Sequence, residues 1–177
     1  MKIRRLVTGH DASGHAIFLS DETAPREHDF GDIPGHGIAQ VWITDTSSGS
    51  PTTTADPTLR HASILPGPGQ TSLLVVSLPP DDVMTAPLNP IRAYSELAEK
   101  LPGLFECFEA DNPGMHKTPT LDYAVLLEGE LWLELDNGQE KRLAPGDVVI
   151  QNGTRHAWRN KSDRVAKAVF FMVGVEQ

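Results

Sequence analysis

Apolar and polar positions alternate in short runs along most of this chain, and stretches with helical spacing are rare. A period of two marks strands with one buried face. The first 20 residues predict a hairpin: Ile3 to Thr8, a turn at His10-Asp11-Ala12-Ser13-Gly14, then Ala16 to Leu19. Residues 21–37 are polar and broken by Pro25 and Pro34, as an ordered loop or an arm laid across a partner would be. Strands follow at Ile38–Thr44, Arg60–Leu65 and Ser72–Leu78, with a Ser/Thr/Pro-rich stretch from Thr46 to Pro57 expected as a mobile surface loop. One helix is expected over Arg92–Leu101, where Tyr94, Leu97 and Leu101 fall on one face and Pro102-Gly103 ends it.

From Glu106 the pattern is compact. Leu121–Leu127 and Glu130–Leu135 flank Glu128-Gly129, and Asp136-Asn137-Gly138 is a hairpin turn. Short strands at Val148–Ile150, around His156–Trp158 and at Val165–Val173 complete the series. Many short strands joined by tight turns predict an all-β protein, a small barrel or jelly roll. The expected organisation is one structural domain, with residues 1–90 supplying N-terminal strands and an arm and residues 91–177 forming the core.

Composition narrows the function. Fifteen Lys+Arg stand against 24 Asp+Glu, a net charge of −9, which argues against a nucleic-acid or anionic-membrane partner. Cys107 is the single cysteine, so neither an intramolecular disulfide nor a multi-thiolate zinc site can form. With no apolar run of roughly 20 residues and no signal-peptide pattern at the start, the expected location is cytoplasmic.

Of seven histidines, His116 and His156 lie in the best-organised β region. A straight strand from 116 to 122 would span roughly 20 Å, so His116 and Asp122 can meet only if the chain turns, and Thr118-Pro119-Thr120 is the candidate corner. Trp158, two residues beyond His156, should share its face of the strand, with Arg155 and Arg159 pointing the other way. Asn160 is expected to fix the next turn.

These residues resemble the cupin superfamily. Its first motif, G-x5-H-x-H-x(3,4)-E-x6-G, is matched by His116, Thr118 in place of the second His, Asp122 in place of Glu, and Gly129, with Ala110 at the leading Gly. Its second, G-x5-P-x-G-x2-H-x3-N, is matched one residue short by Gly146, Gln151 in place of Pro, Gly153, His156 and Asn160. Both fall within residues 106–175. With Arg4-Arg5-Leu6-Val7-Thr8-Gly9-His10 at the start, the chain is similar to single-domain cupin oxidoreductases of bacteria and fungal secondary-metabolite clusters.

The resemblance implies a small jelly-roll barrel with an N-terminal β extension and one short helix. It implies a metal-dependent oxidoreductase or dioxygenase acting on a small aromatic or polyketide-like molecule. His116, Asp122 and His156 would then hold a divalent ion such as Fe(II), the two-His-one-carboxylate arrangement with open positions. Thr118, Thr120 and Trp158 would line the pocket, and no nucleotide cofactor is expected. Two alternatives stand beside it. One is a metal-free isomerase, cyclase or decarboxylase using His116 and Asp122 as acid and base; the other is a non-catalytic small-molecule-binding module. A homodimer is expected, since small cupins commonly pair sheets or exchange N-terminal strands.

Overall fold

The computed structural model describes residues 1–45 and 56–176. The expected mobile loop at 46–57 lies almost wholly outside the described residues. Eleven strands and two α-helices occur among those described: β1 (Arg4–His10), β2 (Ala16–Thr23), β3 (Arg26–Asp29), β4 (Gly37–Asp45), β5 (Gln70–Leu78), α1 (Asp81–Thr85), α2 (Pro90–Lys100), β6 (Thr120–Glu128), β7 (Leu131–Glu134), β8 (Glu140–Leu143), β9 (Val148–Asn152), β10 (Ala157–Arg159) and β11 (Ala166–Gly174).

A six-stranded sheet runs β3-β4-β5-β11-β6-β9, a three-stranded sheet runs β10-β7-β8, and β1-β2 pair only with each other. All the pairings are antiparallel. The large sheet is ordered by alternation. On β6, Thr120, Asp122, Ala124 and Leu126 are buried; on β11, Ala166, Ala168, Phe170 and Met172 are. Leu131 of β7, with Leu143 and Trp158 from the small sheet, closes on that inner face, so the two sheets share one apolar core.

Helix α2 plugs the core from the side through Ala93 and Leu97, with Leu101 just beyond it. Its start is built as helix starts are: the Asn89 side chain accepts from Arg92 N at 3.1 Å and Pro90 fills the first turn. Its polar face is fastened to the 28–32 segment. Arg92 forks onto Asp32 (2.8 and 3.0 Å), and Glu96 takes His28 Nε2 (2.7 Å) and the Gly31 amide.

Three sequence expectations need correction. No strand forms over Arg60–Leu65; residues 56–69 are turns and bends, held by local bonds such as Thr58 N to Asp56 and Leu65 N to Ser63 Oγ. The polar 21–37 stretch contains β3, an edge strand whose four residues, Arg-Glu-His-Asp, pair with β4. Besides the expected helix, a five-residue helix follows Pro80.

Candidate functional site

Two short segments, 114–118 and 152–156, carry the site. His116 and His156 form an isolated antiparallel bridge: each main-chain N–H donates to the other's carbonyl, both at 2.9 Å. That reciprocal pair places the two side chains on one face, with ring centroids 4.3 Å apart. Both histidines are buried, His156 almost completely.

Each ring is held by a backbone carbonyl two residues before it. His116 Nδ1 donates to Gly114 O (3.0 Å) and His156 Nδ1 donates to Thr154 O (2.9 Å). A carbonyl only accepts, so both Nδ1 atoms carry the proton and both Nε2 atoms present lone pairs in the neutral ring. Among the described residues neither Nε2 has a hydrogen-bond partner. Burial keeps both rings neutral, pushing His116 below its ordinary value; His156, with His116 beside it, falls to about 4.

The surrounding turns are specified locally. Gln151, where the family carries Pro, spans its turn by donating to Thr154 O (3.1 Å) and Thr154 Oγ1 (2.8 Å). Gly153 has φ +58°, and a Cβ there would meet Thr120 O at 3.2 Å, so the turn seats directly on the start of β6. Arg155 is a third exposed and fully engaged. It forks onto Glu109 (2.5 and 2.6 Å) and reaches Asp136 (2.7 Å), clamping the segment before His116 to the one before His156. Arg159 likewise bonds Glu134 (2.6 Å) and Pro113 O (2.7 Å). Asn160 fixes its turn as expected, donating to Leu78 O and Arg164 O and accepting from Ser162.

Thr118 and Thr120 are buried, with hydroxyls 2.8 Å apart. The chain bends at Pro119 and then enters β6. Asp122 lies inside the sheet, 4% exposed, between Gln151 of β9 and Met172 of β11. Its Oδ1 is buried without a partner among the described residues, and burial lifts the carboxyl to about 6, against the opposing pull of Thr120. Trp158 stands edge-on to His156 (5.9 Å between centroids) and packs on Phe170 (5.3 Å), while Phe108 lies 4.7 Å from His116. Phe108 and Phe170 were not singled out from sequence. Phe108 arrives through a bridge pairing with His116, which no spacing rule marks.

The main-chain bridge joins the two imidazoles, and Asp122, beyond the bend at Pro119, forms no metal-holding group with them among the described residues. Among the described residues, His116 and Asp122 share no hydrogen bond or ion pair, and no three His, Cys, Asp or Glu side chains stand close enough to hold one metal ion. The imidazole pair has the tautomer a metal requires. The third ligand of the expected set is not in place, so the residues as arranged do not fit a three-ligand ion site.

The cupin-domain family model matches residues 108–173. Phomopsin biosynthesis cluster protein C' of Diaporthe leptostromiformis is 30% identical over 158 residues, 89% of this chain and 70% of that protein. Phomopsin biosynthesis cluster protein D of the same fungus is 30% identical over 164 residues, with the same coverage. The cupin-domain-containing oxidoreductase srdB of Neurospora crassa is 27% identical over 173 residues, 97% of this chain and 74% of that one. Among solved structures, a Cupin 2 conserved barrel domain protein from Salinispora arenicola is 12% identical, with a TM-score of 0.40 over 78% of this chain and 75% of that one. Two facing antiparallel sheets, both signature segments meeting at one histidine bridge, the cupin-domain match and kinship to these fungal proteins over most of the chain make it a member of the cupin superfamily.

Proposed function

We propose that this protein is a cupin enzyme acting on a small aromatic or polyketide-like molecule, with the His116–His156 pair as its reaction centre. The observation that carries this reading is the pair itself: two buried neutral imidazoles, side by side, with fixed tautomers and unengaged Nε2 lone pairs. Such a nitrogen can take a proton from a bound molecule. Asp122 is a buried carboxyl whose affinity for a proton is raised, the property of a group that can give one back. Thr118 and Thr120 line a hollow with Asn152 and Gly153, and Trp158 stands edge-on to His156. Proton transfer of this kind serves an isomerisation, cyclisation or decarboxylation; the oxidoreductase name of the relative from Neurospora crassa supports instead the metal-bearing reading that follows.

A second reading is favoured by the same tautomers, which also suit a divalent cation such as Fe(II) on the two Nε2 atoms. It requires Asp122 or a substrate atom to complete the set. Elemental analysis of protein purified without a polyhistidine tag separates the two readings. In both, His156→Ala removes activity while the circular dichroism spectrum is retained; an active, folded His156→Ala protein overturns both. Stoichiometric metal that disappears in that variant establishes the second.

The assembly proposed is a homodimer. Tyr123, Leu127, Val148, Ile150 and Phe171 form an exposed apolar patch on the outer face of β6, β9 and β11. Leu6 and Phe18 of the β1-β2 hairpin are exposed as well. Two such surfaces on one acidic chain suit burial against a second copy.

A further inference from the structure

We infer that Arg155 is a positioning residue for the imidazole pair: by gripping Glu109 and Asp136 it sets how the His116 and His156 rings lie against each other. The inference rests on reading that pair as the reaction centre. The pair sits in a ladder of three segments, Phe108 against His116 and His116 against His156, each joined by one isolated antiparallel bridge. His116 is the middle rung. Reciprocal main-chain bonds of 2.9 Å tie it to His156, and on its other side the Glu109 amide donates to Met115 O at 2.9 Å. So short a ladder has little of its own to resist opening or a slip in register.

The rings of Phe108, His116 and His156 stand in a row on one face of this ladder, centroids 4.7 and 4.3 Å apart. Their chain neighbours Glu109 and Arg155 project from the other face. There Arg155 spans the middle segment. Its Nε and Nη2 fork onto Glu109 at 2.5 and 2.6 Å, and its Nη1 donates to Asp136 at 2.7 Å. Glu109 is braced in turn by Asn112 Nδ2 at 3.0 Å. The outer rungs are thus tied to each other over His116, and both to the turn between β7 and β8. Arg159 reinforces the same link, donating to Pro113 O at 2.7 Å, beside the Gly114 carbonyl that fixes the His116 tautomer.

Exposed ion pairs mostly add little to stability, the exceptions being bidentate and networked. Arg155 meets both conditions while a third exposed. Its effect is local: losing it loosens the rungs without unfolding the two sheets.

The test is amide hydrogen exchange and nitrogen-detected imidazole NMR on the full, untagged chain. In the wild type each imidazole should show a protonated Nδ1 and a bare Nε2. In Arg155→Met the amides of His116 and His156 should exchange about tenfold or more faster, the value of one lost charge-assisted hydrogen bond. The Val169 amide, in the strand β11 that is paired on both sides, should keep its wild-type rate. His116 should then show both tautomers. Arg155→Lys, which keeps the charge and loses the fork, should fall between. Lys161→Met, which removes an ion pair with Glu140 outside the ladder, should leave the rungs as in the wild type. Should Arg155→Met not fold, Glu109→Gln carries the same expectation and decides alone.

Wild-type exchange and tautomers in Arg155→Met overturn the inference. So does equal acceleration of Val169, which would make Arg155 a support of the whole fold. Arg155→Lys as loose as Arg155→Met, or the same loosening in Lys161→Met, overturns it as well. These signals read ring placement and not turnover. Loosened rungs beside an active, folded His156→Ala protein therefore defeat the reaction centre alone, and unmoved rungs beside an inactive one defeat this inference alone.

Discussion

At the scale of single residues, the site holds two buried groups that oppose each other in their response to pH. The Asp122 carboxyl rises from its ordinary 3.8 to about 6 on folding. Its contribution to stability is complete below about pH 3.8 and is lost as pH rises through 6. His156 falls from 6.5 to about 4, so its contribution is complete above 6.5 and is lost as pH falls through 4. The two windows overlap and their slopes have opposite signs. Wild-type stability should therefore change little from these groups between pH 6.5 and 4. Urea unfolding should show Asp122→Asn losing roughly 2 kcal/mol more than wild type over that interval, and His156→Gln roughly 2 kcal/mol less. Parallel pH profiles for all three proteins would refute this account of the buried pair.

The same residues show how far sequence reasoning reached. The meeting of His116 and His156 was legible, because each sits in a signature segment whose turn chemistry is written locally in Gly114, Gln151 and Gly153. The separate position of Asp122 was not legible. It depends on how sharply the chain bends at Pro119 and on the twist of the sheet that carries β6, and neither can be read from residue types. For Arg155 alternation gave the face and not the partner, because Glu109 comes from 46 residues away.

At the scale of elements, the long apolar strands were the ones sequence located well. β4, β5, β6 and β11 are each nine residues long; β6 and β11 alternate, and β4 and β5 carry apolar runs buried on both faces in part. β3 has no apolar residue and exists because β4 offers it an edge, which is a tertiary cause. Residues 60–65 carry strand-forming types, yet His61 is held by Ser63 O and Gln70 Oε1, and such local bonds defeat a ladder.

The β6–β7 connection offers an element-scale test. Gly129 has φ +80°, and a Cβ there would meet Ala166 Cα at 2.8 Å and Val165 O at 3.0 Å, both backbone atoms that cannot step aside. Gly129→Ala should lower the urea midpoint by more than about 1 kcal/mol equivalent at unchanged m. Next to it, Leu131 is fully buried between the sheets, and Leu131→Ala should cost about 2–5 kcal/mol. A cost below 1 kcal/mol would mean that the small sheet does not close on the core.

At the scale of the whole molecule, the N-terminal hairpin is attached by few but specific contacts. Arg5 is buried, donates to Val41 O (3.0 Å) and Asp56 (2.5 Å), and lies over the Trp42 ring at 5.4 Å. Ala24 N bonds Ile3 O at 2.8 Å, but β1 and β2 add no strand to either main sheet. None of the described helices is long and apolar enough to cross a membrane. The proposed homodimer predicts that Ile150→Asp with Phe171→Asp yields a monomer by light scattering without loss of β circular dichroism. A wild-type protein that already scatters as a monomer would refute it.

The bridge between His116 and His156 is made only of main-chain atoms. The two bridge hydrogen bonds survive a change of side chain at either α-carbon, whereas the ring's own bond to Gly114 O or Thr154 O does not. A replacement at either address therefore keeps the strand crossing and must find a new partner for one carbonyl.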